Sequence, residues 1–187
     1  MDATDVGAVL ARARQGDSEA FRSLVELHSR RAFQLAYRIT GNEQDAEDVV
    51  QESFIRAYRQ LSRFEARAHF STWLHRIVAN CSVDLIRSRR ARYDHASTDE
   101  LGAMEQPETS PNPERLAASA QIERRVSAAM SELSPLERAA FTLRHYEGRS
   151  ITEIGKTLGL GTSATKHSVF RAVRKLRAAL EPLRGES

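Results

Sequence analysis

Apolar residues recur at three- and four-residue steps from about residue 5 to residue 92, and again from about 115 to 181. No alternating strand pattern of useful length interrupts them. A chain with that periodicity can bury its apolar side chains only by laying helix against helix. The stretch between, residues 94–114 (DHASTDELGAMEQPETSPNPE), breaks the pattern. It holds three of the five prolines, is acidic, and has almost no apolar side chains. It reads as a flexible acidic linker. The expected fold is therefore all-α, with helical domains over 1–93 and 121–187 joined by a linker over 94–120.

Helix starts are written clearly in the second half. Ser134-Pro135-Leu136-Glu137 combines an N-cap serine, a proline at the first helical position and a glutamate three residues after the cap. Ser150-Ile151-Thr152-Glu153 is a second capping box, and Gly148 and Gly159-Leu160-Gly161 end the helices before and after it. Thr162 is placed to cap the last helix. The pattern predicts helices over 136–147, 151–158 and 163–180, the final pair having the proportions of a helix-turn-helix.

The net charge is only +3, but the charges are segregated. Residues 42–52 carry Glu43, Asp45, Glu47, Asp48 and Glu52 with no base. Residues 162–180 carry Lys166, Arg171, Arg174, Lys175 and Arg177 with no acid, and residues 85–93 add four arginines. Of the 28 basic residues only three are lysines, and the planar arginine fork suits phosphate and guanine edges. One acidic and two basic segments point to two kinds of partner.

Helical-wheel arithmetic divides the faces. In the last helix Thr165, Val169, Ala172, Val173, Leu176 and Leu180 form the core side. Ser163, Ala164, His167, Arg171, Arg174 and Lys175 lie opposite, small and polar residues first and bases one or two turns later. That order fits base reading near the helix N-terminus and phosphate contacts beyond it. His167 alone reads equally as a plain surface residue. Over 72–90, Leu74, Ile77, Val78, Cys81 and Leu85 form a core stripe, and Trp73, Arg76, Asn80, Val83 and Arg87 lie on the other side. Rings beside bases suit unstacked nucleic acid, although a single tryptophan also serves as core packing. Over 43–60, Val50, Phe54, Ala57 and Leu61 form the buried stripe. Asp45, Asp48 and Glu52 line the far side, with Arg56 a turn beyond Glu52. No histidine ligand or EF-hand glycine loop accompanies these carboxylates, so a solvated face or a docking surface is expected rather than a metal site.

Two motifs in this order resemble a known family. Residues 45–58, Asp45-Ala46-Glu47-Asp48-Val49-Val50-Gln51-Glu52-Ser53-Phe54-Ile55-Arg56-Ala57-Tyr58, resemble the region 2 helix of extracytoplasmic-function (ECF) sigma factors. Phe70-Ser71-Thr72-Trp73-Leu74-His75-Arg76-Ile77-Val78-Ala79-Asn80 resembles the family's promoter-melting segment. Leu133-Ser134-Pro135-Leu136-Glu137-Arg138, Tyr146-Glu147-Gly148, Ile151, Glu153-Ile154-Gly155 and Leu158-Gly159 resemble region 4. The resemblance implies a sigma factor without chemistry of its own. It implies docking on core RNA polymerase through Asp45, Asp48, Gln51, Glu52 and Arg56 on the β′ clamp helices, with a further contact to the β flap. It implies -10 promoter contacts from Phe64, Ala66, Arg67, His69, Phe70, Trp73, Arg76, Asn80 and Arg87. It implies -35 contacts from Ser163, Ala164, Lys166, His167, Arg171, Arg174 and Lys175, and an anti-sigma partner, often membrane-bound.

This sequence departs from the family pattern in two places. The loop reads Glu65-Ala66-Arg67-Ala68-His69 and lacks the usual glycine, which restricts its backbone. The recognition helix opens Thr162-Ser163-Ala164-Thr165-Lys166-His167-Ser168, with Thr165 where a core valine is usual. A stand-alone helix-turn-helix regulator is the alternative, and it would leave the acidic stripe unexplained. An enzyme is not expected: Cys81 falls on a core stripe and no Gly-rich phosphate loop is present. One cysteine excludes a disulfide framework or a multi-thiolate zinc site, and no cofactor or small-molecule substrate is expected. No secretory signal or membrane span is visible, so the sequence reads as cytoplasmic.

Overall fold

The structure is a computed structural model that describes residues 3–64, 69–96 and 124–181. The described residues form helices α1 (Ala3–Arg14), α2 (Ser18–Thr40), α3 (Glu43–Gln60) and α4 (Phe70–Ala96), with one 3-10 turn at Leu61–Arg63. After the linker come α5 (124–131), α6 (Pro135–His145), α7 (Ile151–Leu158) and α8 (Thr162–Leu180).

Each boundary has a local cause. Asp17 caps α2 by accepting from the Ala20 N–H at 3.0 Å. Gly41, at φ 73°, ends that helix in the left-handed region that glycine enters without strain. Asn42 immediately caps α3, its Oδ1 accepting from the Asp45 N–H at 2.9 Å. Both serine capping boxes form as expected, at Ser134 with Glu137 and at Ser150 with Glu153. Thr162 is not a cap: Gly161 holds that position, and Thr162 is the first helical residue.

Ile39, Leu35 and Leu24 of α2, Val49 and Phe54 of α3, and Leu74 and Val78 of α4 build the main core. The expected stripe on α3 is off-centre. Ala46, Val49, Ser53 and Ala57 are buried, whereas Val50 is half-exposed. Val83, placed on the outer side by wheel arithmetic, is also buried. The larger departure concerns the two halves. Ala139, Ala140 and Leu143 of α6 and Ile154 of α7 join the same apolar core as α2 and α4. The C-terminal half adds only a small cluster of its own, Ala129 and Leu133 against Ala172 and Leu176. The halves are packed together, and the linker that joins them lies outside the described residues, apart from its first residues at the end of α4.

The turn between α7 and α8 depends on one close approach. A Cβ built on Gly155 would lie 2.8 Å from the Leu160 carbonyl oxygen and 3.1 Å from Thr165 Oγ1. The Leu160 N–H is itself bonded to the Gly155 carbonyl at 2.8 Å, so the backbone cannot retreat without losing that bond. Gly155→Ala should therefore destabilise the protein by about 1–3 kcal/mol, read by thermal or urea denaturation. Thr165 is accommodated in the core because its hydroxyl donates to the Gly161 carbonyl at 3.0 Å.

Candidate functional site

Three surfaces carry the predicted residues. On α3 the exposed face holds Glu47, Asp48, Gln51, Ile55 and Tyr58. With α2 it borders an apolar groove of about 1080 Å³, lined by Phe21, Val25, Phe33, Val50 and Phe54. Asp45 does not belong to this face. It is 5% exposed and paired with Arg89 of α4, because the true buried stripe of α3 is centred nearer to it than the sequence suggested. Burial raises the Asp45 pKa, and the Arg89 guanidinium opposes that rise. Glu52 is half-exposed and already bonded: Arg56 Nε donates to its Oε1 at 2.6 Å, and Arg56 Nη1 reaches Asp84 at 3.4 Å. Of the predicted docking residues, only Asp48 and Gln51 are exposed without a partner among the described residues. The groove and its exposed Ile55 and Tyr58 were missed, although an isoleucine and a tyrosine at i and i+3 on an acidic face were a readable signal.

The second surface is the corner where α4 begins. Trp73 packs 4.9 Å from Phe64 and 5.7 Å from Phe70, ring centre to ring centre, and the ring of His28 of α2 lies tilted 5.2 Å from Phe70. Phe64 and Phe70 are buried, so they support this corner instead of lining its outer surface. Exposed His69 accepts the first N–H bonds of α4 through its carbonyl, from Thr72 at 3.0 Å and Trp73 at 3.2 Å. Trp73 and Asn80 are half-buried, and Arg76 and Arg87 are exposed along the same side of α4. Ala66 and Arg67 lie outside the described residues.

Beneath this corner sits a pair of histidines. Burial lowers the pKa of His75, and Arg149 and Arg31 add to that against Glu147. Burial likewise lowers the pKa of His28, with His75 and Arg31 adding to it. Both are neutral in the fold at neutral pH. The unfolded chain takes up protons below the ordinary 6.5 while the folded state resists them. Stability should therefore fall as the pH drops from about 6.5 to 5, above the range in which the carboxylates titrate. Thermal denaturation at pH 7.5 and 5.5 reads this loss, and His75→Gln should reduce it.

On α8, all seven predicted residues are exposed: Ser163, Ala164, Lys166, His167, Arg171, Arg174 and Lys175. They are not equally free. Lys175 Nζ donates to Glu137 Oε2 at 2.7 Å, and Arg171 Nε lies 3.6 Å from Glu137 Oε1. Burial alone would raise the Glu137 pKa, but the bonds from Lys175 and Ser134 outweigh it and hold the carboxyl below its usual value. Arg174, His167 and Lys166 carry no ion pair among the described residues. The sequence reading passed over Phe170, which is 64% exposed beside them. With Ile151, Val169 and Val173 it lines an apolar depression of about 540 Å³ rimmed by Arg144, Lys166, Arg174 and Arg177.

Among the described residues no cluster of ligating side chains could hold a metal, and no helix is long and apolar enough to cross a membrane. The three surfaces are an acidic-apolar face on α3, rings beside bases on α4, and a basic face on α8.

Comparison with known proteins agrees in sequence and fold. Residues 24–92 match Sigma-70 region 2, and residues 123–176 match Sigma-70, region 4. The chain is 31% identical to the ECF RNA polymerase sigma factor SigW of Bacillus subtilis, over 93% of this chain and 96% of that protein. It is 36% identical to the ECF RNA polymerase sigma factor SigE of Mycolicibacterium smegmatis, over 87% of this chain but only 63% of that longer protein. Among solved structures, CnrH in complex with the cytosolic domain of CnrY superposes with a TM-score of 0.63 at 28% identity, covering 94% of this chain and 96% of that one. The sigma factor RpoE in complex with the anti-sigma factor NepR, from Bartonella quintana, is similar in fold, with a TM-score of 0.64 over 86% of this chain and 96% of that one.

Proposed function

The chain belongs to the ECF sigma factors of bacterial RNA polymerase, and from that premise we propose how its surfaces divide the work of promoter-specific initiation. The observation that supports this reading is that an acidic face beside an apolar groove on α3 and an exposed basic face on α8 occur on separate halves of one chain.

Residues 1–93 act as the polymerase-binding and -10 domain, 94–120 as the linker, and 121–187 as the -35 domain. Asp48 and Gln51, with the exposed Ile55 and Tyr58 and the groove beside them, dock on the β′ clamp helices. Asp45 and Arg56 contribute by fixing α3 to α4 through Arg89 and Asp84. Glu47 and Asp48, two exposed carboxylates beside apolar side chains, fit a basic, amphipathic helical partner.

Trp73, Arg76, Asn80 and Arg87 hold the melted -10 strand, with Ala66, Arg67 and His69 forming the loop beside them. Melting needs no bond chemistry, only a surface that binds the unstacked strand better than the duplex. Ser163, Ala164, His167 and Arg174 face the -35 major groove, where an arginine can donate two hydrogen bonds to the O6 and N7 of one guanine. The depression beside Phe170 receives the β flap. An anti-sigma factor covers one or more of these faces in the uninduced cell, and the chain works in the cytoplasm beside the polymerase.

Run-off transcription with purified bacterial core polymerase, with and without the protein, tests this reading. Promoter-specific transcripts that require the added chain are expected. Tight duplex binding by the chain with no effect on core polymerase would instead identify a simple regulator.

A further inference from the structure

Glu137 is a buried acid among the bases of the C-terminal half. It is 4% exposed, in the first turn of α6 and against α8. Its Oε2 accepts from the Ser134 N–H at 2.9 Å, which ties the carboxylate to the backbone. The same oxygen accepts from Lys175 Nζ at 2.7 Å, and Oε1 lies 3.6 Å from Arg171 Nε. Lys175 Nζ also reaches the Glu132 carbonyl at 3.4 Å, so two contacts draw the ammonium toward the turn between α5 and α6. Around α8, Lys175 and Arg171 sit on the side of the exposed face nearest α6, and Arg174 sits on the other side beside Phe170.

We infer that Glu137 is a positioning residue for DNA recognition: it withholds Lys175 from the phosphates and holds the Arg171 guanidinium in one orientation, so that α8 binds by sequence more than by charge. The inference rests on the reading of α8 as the -35 recognition helix. A phosphate on the duplex surface competes poorly for Lys175. Losing the lysine would strand a buried carboxylate, which costs far more than separating an exposed pair. The phosphate keeps its water and counterions without it. Phosphate contacts tighten binding to every sequence, and a helix not seated on base edges is free to shift and make more of them. Withholding a lysine removes that gain from mismatched DNA. Arg171 is a different case. Only its Nε faces the carboxylate, so its Nη groups remain to donate, with less orientational freedom left to lose on contact.

Glu137→Gln in the full-length protein, bound to core polymerase, tests this. Glutamine still accepts from the Ser134 N–H, so the cap survives while the charge goes. The probes are a -35 duplex selected from a random pool by the wild type and a scrambled duplex of equal length. The variant should bind the scrambled duplex several-fold more tightly, with a salt slope steeper by about one, as for one new phosphate contact. Affinity for the selected duplex should rise less, because the lost orientation of Arg171 offsets the freed charge, so discrimination falls. Mere damage to the packing of α6 on α8 would weaken binding to both. Adding Lys175→Ala to the variant should remove most of the gain. An unchanged or weaker affinity for the scrambled duplex, an unchanged slope, or a gain wholly retained after Lys175→Ala would overturn the inference. Should Glu137→Gln lose helicity by circular dichroism, Lys175→Ala alone decides. Its salt slope should match the wild type, and a slope shallower by about one would show Lys175 on phosphate in spite of Glu137. A wild type that selects no duplex, or gives no run-off transcript, fails the sigma-factor reading before any variant is compared, so the two failures are distinct.

Discussion

Glu47→Arg combined with Asp48→Arg is expected to abolish binding to core RNA polymerase, and with it all promoter-specific transcription, while leaving the protein folded. Both carboxylates are exposed on α3 and neither is paired among the described residues. Their replacement removes no core atom. Asp48 even works against buried Asp45, whose pKa it helps to raise, so reversing its charge relieves a repulsion. Surface changes of this kind shift stability by no more than about 0.5 kcal/mol. Across an interface the sign reverses: like charges placed face to face cost several kcal/mol and slow association. Circular dichroism, a core-polymerase pull-down and run-off transcription of the double variant measure the three parts. A folded double variant that still binds core and initiates would show that the α3 face is merely solvated, and the groove beside it would then need another occupant.

Glu52 would be the poorer target. Its carboxylate is bonded to Arg56, which also reaches Asp84, so Glu52→Arg would set two guanidiniums one helical turn apart. Lost activity in that variant could come from a disturbed α3–α4 seam.

Helix positions and the division into two halves were readable because caps and apolar period are local properties. Ser134 and Ser150 announced their helices through the chemistry of the first turn alone. Asp45 was misread because an acid on an amphipathic helix is placed outside by default. Here Arg89, 44 positions along the chain, makes its burial tolerable. Arg138 is the same case in reverse: a charged side chain whose buried partners are carbonyls at the end of a helix about a hundred residues earlier. Nothing within a few residues of either position signals its partner. The close packing of the halves was illegible for the same reason, since Ala139, Ala140 and Leu143 read equally well as the core of an independent domain. Phe170 was legible, since its place among the bases of the exposed face leaves its ring outside the core stripe.

The structure also ranks the bases of the recognition helix, which the wheel treats alike. Arg174→Ala should weaken binding to the -35 duplex by about 1–3 kcal/mol, concentrated on one base pair, if its guanidinium grips a guanine in the major groove. Lys175→Ala should cost much less. Its ammonium already bonds Glu137, so most of its charge is spent before DNA arrives. Arg171 lies 3.6 Å from the same carboxylate and belongs between the two. Duplex titrations of the three variants in complex with core polymerase, on matched and mismatched -35 sequences and at two salt concentrations, separate the cases. A loss for Arg174→Ala that is uniform over all sequences, with the salt slope lower by about one, would reassign this side chain to phosphate. Equal losses for Arg174→Ala and Lys175→Ala would mean that Glu137 surrenders Lys175 when the duplex binds. The reading surface would then be assembled by DNA rather than fixed in the free helix, and Glu137→Gln should raise affinity for mismatched duplexes by setting both bases free.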